Sequence, residues 1–93
     1  YVPALGQYII MAGAAGIGGQ FQMYRWSGTA ADDPVVVNGE SLGGLQPEAM
    51  IAYPGSQVRI LVFSDDGTRE KGSLMCKDLP VGQRRFRALW ITL

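Results

Sequence analysis

Short apolar segments separated by turn-forming residues constrain the fold of this chain more than any other feature. The segments are rich in Val, Ile, Tyr and Phe, and Gly, Pro, Asn and Asp interrupt them every few residues, with 13 glycines among 93 residues. Runs of this kind, about 4 to 8 residues long, are typical of β-strands. No ten-residue stretch between them has the apolar period of a helix. The pattern predicts an all-β fold built of antiparallel sheets.

Seven segments meet the criteria for strands. They are residues 7–12, 20–26, 35–37, 49–53, 57–63, 73–77 and 84–93. The first is apolar on both faces, which favours a central strand covered by other elements. Just before the fourth, Pro47 and Glu48 would also suit the first turn of a short helix over 47–50, but we prefer an extended chain there.

The glycine-rich segment 13–19 follows the first strand directly, a position that nucleotide-binding loops also occupy. Its glycines stand at positions 13, 16, 18 and 19, which is not the G-x-G-x-x-G spacing, and a strand rather than a helix follows. The segment is therefore predicted to be a hairpin loop. The next interruption, Asn38-Gly39, is predicted to stop the third strand.

The chain has no histidine and a single cysteine, Cys76. Histidine is the commonest zinc ligand and the usual general base, so its absence excludes zinc-hydrolase and Ser-His-Asp chemistry. A lone cysteine excludes an internal disulfide framework. We expect Cys76 to be a small buried apolar side chain. The residues supply neither a catalytic set nor a cofactor-binding motif, so a non-catalytic module is favoured over an enzyme.

Charge and hydropathy narrow the classes of partner. Eight basic and eight acidic residues cancel, so we expect no nucleic-acid partner. The most membrane-like run, residues 8–19, is too short and too rich in glycine to cross a bilayer as a helix, so no membrane partner is expected. A content of 47% hydrophobic and 17% charged residues is that of a soluble globular chain, and 93 residues suit a single module.

Three carboxylates form the candidate site. Pro54, Gly55 and Ser56 predict a tight turn, and folding back there brings Glu48 toward Asp65 and Asp66 at one end of a sheet. Oxygen ligands without thiol or imidazole suit a hard cation such as calcium, so Glu48, Asp65 and Asp66 are the predicted metal ligands. In the alternative interpretation, both aspartates cap a turn and Glu48 is solvated or pairs with an arginine.

The sequence also predicts the surroundings of two further sets of residues. The basic segment 84–87 is expected to pair with Asp78 or Glu70 and to keep a strand edge soluble. The large aromatic residues are expected to lie mostly in the core, with some of them at an interface; they are Tyr24, Trp26, Phe63, Phe86 and Trp90.

Two parts of the chain repeat one pattern. Residues 5–28 and 49–67 each predict a hairpin whose second strand runs into a serine and a glycine, at a separation close to the period of propeller blades. The motifs QYIIMAG (7–13), FQMYRWSG (21–28), PEAMIAYP (47–54), VFSDDG (62–67), CKDLP (76–80) and QRRFRALW (83–90) resemble the C-terminal part of a bacterial domain-of-unknown-function family with propeller-like β repeats.

The resemblance implies that residues 1–93 are one all-β module, the C-terminal fragment of a longer chain, and it implies no activity. In phytase-like and lactonase-like propellers an acidic residue after proline often binds metal near the central channel, and Glu48 matches that position. The fold expected is two propeller-like blades, with a small sandwich or barrel as the alternative. The expected function is a non-catalytic structural or ligand- or protein-binding module, partnered by the remaining blades or by self-association. The alternative is a fragment of a calcium-dependent propeller hydrolase.

Overall fold

The computed structural model describes residues 1–13, 20–37, 42, 44–67 and 69–93. In these ranges the chain forms strands and two short 3₁₀ turns, at Cys76–Asp78 and Val81–Gln83. The strands are β1 (Tyr8–Gly13), β2 (Phe21–Trp26), β3 (Val35–Val36), β4 (Pro47–Tyr53), β5 (Arg59–Ser64), β6 (Glu70–Lys71), β7 (Leu74–Met75) and β8 (Ala88–Thr92). The prediction of an all-β antiparallel fold is confirmed. The glycine-rich loop at 14–19 and the stop at Asn38-Gly39 lie outside the described residues.

The first sheet has the strand order β1-β2-β3. Its β1–β2 hairpin places Ile9 opposite Arg25 and Met11 opposite Met23. Strand β3 pairs with the other edge of β2. The central strand is therefore β2, and the prediction that 7–12 forms a central strand is wrong. Apolar residues on both faces of β1 indicate that its faces are covered, but they do not determine which of its edges is paired.

The second sheet has the order β4-β5-β8, with β5 in the centre. Strand β4 is extended from Pro47 onward, so the alternative of a helical turn is wrong. The β4–β5 register is irregular between Pro47 and Ala49, which leaves Glu48 as the extra residue of a β-bulge opposite Phe63. On the other side of β5, Ile60 lies opposite Ile91.

Between β5 and β8 the chain forms a small β6–β7 hairpin. Gly72 turns the hairpin with φ +68°, a conformation that disfavours other residues. The sequence did not predict β6, because its two residues are charged. The predicted strand 73–77 is also shorter than expected, since the first 3₁₀ turn begins at Cys76. Residues 84–87 precede β8 rather than belonging to it.

One hydrophobic core joins the two sheets. It takes Ile9 and Met23 from the first sheet and Ile60, Val62 and Ile91 from the second. These side chains lie on one face of each sheet, here called the inner face. Within the described ranges neither sheet closes into a barrel, so the barrel alternative is not what forms. The four-stranded sheet of a typical propeller blade is also absent from these ranges, and the blade interpretation stays a prediction. Among the described residues, no helix is long and apolar enough to span a membrane.

Candidate functional site

The three predicted metal ligands lie at the same end of the β4–β5 hairpin, but their surroundings differ. Glu48 is exposed at the bulge. Asp65 is also exposed, and its Oδ1 accepts a hydrogen bond from the backbone N–H of Gly67 at 3.0 Å, the turn-capping role of the alternative interpretation. Asp66 is buried, with 3% of its surface exposed. Over the described residues, no group of three acidic, cysteine or histidine side chains is arranged to hold a metal ion.

Asp66 is the centre of a buried hydrogen-bond network. Its Oδ1 accepts from Ser64 Oγ at 2.7 Å and from Arg87 Nη2 at 2.8 Å. Its Oδ2 accepts from the backbone N–H of Arg87 at 2.7 Å and from Arg87 Nε at 3.0 Å. The network extends to the segment that precedes β4, because Ser64 Oγ accepts from the N–H of Gln46, and Arg87 Nη2 also donates to the carbonyl of Gly44. Asp66 thus ties three separate chain segments together.

The ionic state of Asp66 follows from these bonds. The side-chain hydrogen bonds from Arg87 are the largest cause that lowers the pKa of Asp66 from 3.8 to about 2, against the opposing effect of burial. The same pair raises the pKa of Arg87. Both oxygens of Asp66 already accept two hydrogen bonds each, so the carboxylate has no lone pair left for a cation. Glu48 and Asp65 are therefore the remaining predicted calcium ligands, and Asp66 has a structural role.

The partners of Arg87 differ from the ones that the sequence suggested. Arg87 pairs with Asp66, whereas Asp78 and Glu70 were the expected acids for this basic segment. The neighbouring Arg84 donates from Nε to the carbonyl of Leu79 at 2.8 Å. The segment 84–87 is therefore fixed mainly by bonds to backbone carbonyls and by one buried carboxylate.

Cys76 is half-buried rather than fully buried, so that expectation is wrong. Its Sγ donates to the carbonyl of Arg85 at 3.1 Å and accepts from the N–H of Arg85 at 3.4 Å. The thiol therefore links the first 3₁₀ turn to the segment that leads into β8. It lies in a cavity of about 330 Å³ that Arg69, Glu70 and Gln83 also line.

The largest departure from expectation is the outer face of the second sheet, the face that points away from the core. The strand registers place Ile51, Leu61 and Trp90 in one row across this face, with further apolar residues beside them. Trp90 is 49% exposed, Ile51 47% and Phe86 68%. We define this outer face by Ala49, Ile51, Tyr53, Leu61, Phe63, Ala88 and Trp90, together with Phe86, whose ring centroid lies 6.2 Å from that of Phe63.

Two formal charges belong to the strands of the second sheet, Glu48 at the bulge of β4 and Arg59 at the start of β5. The guanidinium of Arg59 lies 4.9 Å from the ring centroid of Trp90 in a cation-π contact. Tyr53 packs against the same indole at a centroid distance of 5.2 Å. Among the described residues, no carboxylate lies within ion-pair distance of Arg59. The outer face is thus an aromatic and aliphatic surface with a cation at one end.

The expectation that the large aromatic residues lie mostly in the core is wrong for Phe86 and Trp90, and Tyr24, Trp26 and Phe63 are half-buried. The sequence contained a usable signal for this face. Strands β4, β5 and β8 have apolar residues at both parities, a pattern typical of strands that are covered on both faces. Comparisons of the chain with family models, with curated proteins and with solved structures gave no match.

Proposed function

We propose that this chain is a non-catalytic protein-docking module whose outer face on the second sheet packs against another β-sheet. That sheet comes from further repeats of a longer chain or from another copy of this one. The single observation that carries the proposal is the contiguous exposure of Ile51, Trp90 and Phe86 on one side of a regular sheet. Exposed apolar patches that are contiguous in this way mark interaction sites.

The total surface supports the same proposal. The chain has an accessible surface of 6253 Å², whereas a compact monomer of its mass has about 5,200 Å². The excess over the whole chain is about 1,000 Å², which is enough to include the roughly 800 Å² that each partner buries in a standard stable interface. The radius of gyration, 15.3 Å, likewise exceeds the value of about 12 Å for a compact domain of this length.

The composition of the outer face is that of an interface centre. Trp90, Tyr53 and the adjoining Arg59 are of the three residue types that supply most binding energy in protein interfaces. Trp90, Tyr53 and Arg59 are already packed together, so little side-chain freedom remains to be lost on binding. Sheets that pack face to face interdigitate such side chains in a layer about 10 Å thick.

Sedimentation velocity over a concentration series tests the proposal with a matched pair of variants. In Ile51→Lys a charge enters the middle of the outer face, and we expect a chain that stays folded and monomeric. The control is Val81→Lys, because Val81 is exposed in the second 3₁₀ turn, outside the strands of the second sheet. The wild type and Val81→Lys are expected to associate as concentration rises. Equal association of wild type and Ile51→Lys would contradict the proposal, and a wild type that is monomeric throughout would exclude another copy of this chain as the partner.

A further inference from the structure

The charges at the two ends of the outer face determine which sheet can cover it. We propose that the outer face docks onto the outer face of a second copy of this chain, with the two copies related by a two-fold axis and their β5 strands antiparallel. The inference rests on the proposed docking function and adds to it the identity and orientation of the partner. Two-fold dimers with one self-complementary surface are the commonest protein assemblies.

Arg59 and Glu48 lie toward opposite ends of the outer face. Arg59 is the first residue of β5, and Phe63 is four residues further on. At about 3.3 Å per residue, the two positions are about 13 Å apart along the strand. Glu48 lies at the Phe63 end, because the bulge sets Glu48 and Ala49 opposite Phe63. The face therefore has a cation at one end, an anion at the other and Leu61 midway between them.

A two-fold axis can stack this face on itself with the two β5 strands either parallel or antiparallel. If the β5 strands run parallel, Arg59 faces Arg59 of the other copy, and like charges in contact cost energy. If they run antiparallel, Arg59 faces the Phe63 end, where Glu48 lies on the adjacent strand. The antiparallel arrangement thus forms two equivalent ion pairs at once and leaves Leu61 facing Leu61. Charge complementarity selects the antiparallel dimer.

Both charged side chains are exposed and can reach a partner. The indole of Trp90 holds the Arg59 guanidinium at the surface, 4.9 Å from the ring centroid. Glu48 is exposed, and it makes no hydrogen bond or ion pair with another described side chain. Turn chemistry accounts for Asp65 and the buried network accounts for Asp66, so the dimer also supplies a role for the third predicted carboxylate.

Charge reversal and mixing test the proposal in the 93-residue chain, in buffer with a calcium chelator. Arg59→Glu sets two acidic residues against each other at both ends of the dimer, and Glu48→Arg does the same with two basic residues. Sedimentation equilibrium of each variant is expected to show dimerisation weakened by about 10- to 100-fold relative to wild type. An equimolar mixture of the two variants is expected to recover dimers, because in the mixed dimer every reversed charge faces an opposite one. The double variant in one chain is expected to recover them as well.

Matched controls are Arg69→Glu and Asp78→Arg, which reverse exposed charges outside the second sheet and are expected to dimerise as wild type does. Failure of the mixture to form dimers would overturn the antiparallel arrangement, as would wild-type association of either single variant. If Ile51→Lys abolishes association while both charge reversals leave it intact, docking stands and this dimer is wrong. If Ile51→Lys also associates normally, the docking function itself fails.

Discussion

Asp66 shows at the scale of one residue how a conspicuous acidic motif can be structural. In the sequence it is the second aspartate of a turn, yet its carboxylate accepts four hydrogen bonds, three of them from Arg87. Arg87 lies 21 positions away in the sequence, and no local rule relates the two residues. Only the pairing of β8 with β5 brings the arginine to this end of the sheet.

We expect Asp66→Asn to lower the free energy of unfolding by about 3 kcal/mol. Removal of one charge from a buried pair leaves the other without its counter-charge, and the cost is in the lower part of the usual range because Arg87 is partly exposed. Urea denaturation followed by far-UV circular dichroism measures the change. The control is Asp65→Asn, which keeps an oxygen to accept the bond from Gly67 and is expected to be nearly neutral. Equal losses for the two variants would contradict the assigned role.

The lowered pKa of Asp66 gives this pair a pH dependence of known sign. The folded-state pKa of about 2 lies below the ordinary value of 3.8, so its stabilisation is fully present above about pH 4 and is lost as the pH falls toward 2. The difference corresponds to about 2 kcal/mol. We expect the stability gap between wild type and Asp66→Asn to narrow by that amount over this range, measured by urea denaturation at each pH. A gap that stays constant from pH 5 to about 2 would show that folding does not lower the pKa of Asp66.

At the scale of the strand, Ile51 in β4 and Ile60 in β5 lie on opposite faces of the second sheet. Ile60 is 1% exposed in the core and Ile51 is 47% exposed on the outer face. Ile60→Ala is expected to cost about 2 to 5 kcal/mol, because it leaves a cavity among packed side chains. Ile51→Ala is expected to change stability by less than about 0.5 kcal/mol in the dilute, monomeric chain. Thermal or urea unfolding of both variants checks the difference, and similar losses would mean that the two faces are assigned wrongly.

The strands and their hairpins were predictable from sequence because they depend on local chemistry. The turn at Pro54 and the β-branched run after it predicted the β4–β5 hairpin, and the apolar run within residues 84–93 predicted a strand at β8. The partners of each strand were not predictable in the same way. Strand β1 is an edge strand because β3 pairs with the other side of β2 and makes β2 the central strand. That pairing joins residues distant in the sequence, so local patterns do not reveal it.

The candidate site was only half predictable for a related reason. Fold-back at Pro54 correctly brings Glu48 and Asp65 to one end of the hairpin. Periodicity separates the two sides of a strand, but it does not say which apolar side faces this chain's own core. Trp90 and Phe86 were therefore expected in the core, although both are exposed. The balance of acidic and basic residues also gives no indication that Arg59 and Glu48 lie at opposite ends of one face.

At the scale of the whole molecule, the chain buries one face of each sheet and leaves apolar surface on the other. Its dimensions, 47 by 28 by 20 Å, are those of an elongated body rather than of a closed barrel. A small domain has limited core with which to stabilise itself, so an uncovered apolar sheet face is costly in water. Packing of the outer face against a second sheet would remove this cost. We therefore propose that the outer face becomes buried by association.

Fluorescence quenching of Trp90 tests that claim most directly. The chain has two tryptophans, so Trp26→Phe leaves Trp90 as the single reporter. We expect acrylamide quenching of Trp90 to fall, and its emission to shift to the blue, as the protein concentration rises. In the same background Ile51→Lys is expected to keep Trp90 fully quenchable at every concentration. If Trp90 remains equally quenchable while sedimentation shows that the chain has associated, association occurs through another surface and the central claim is wrong.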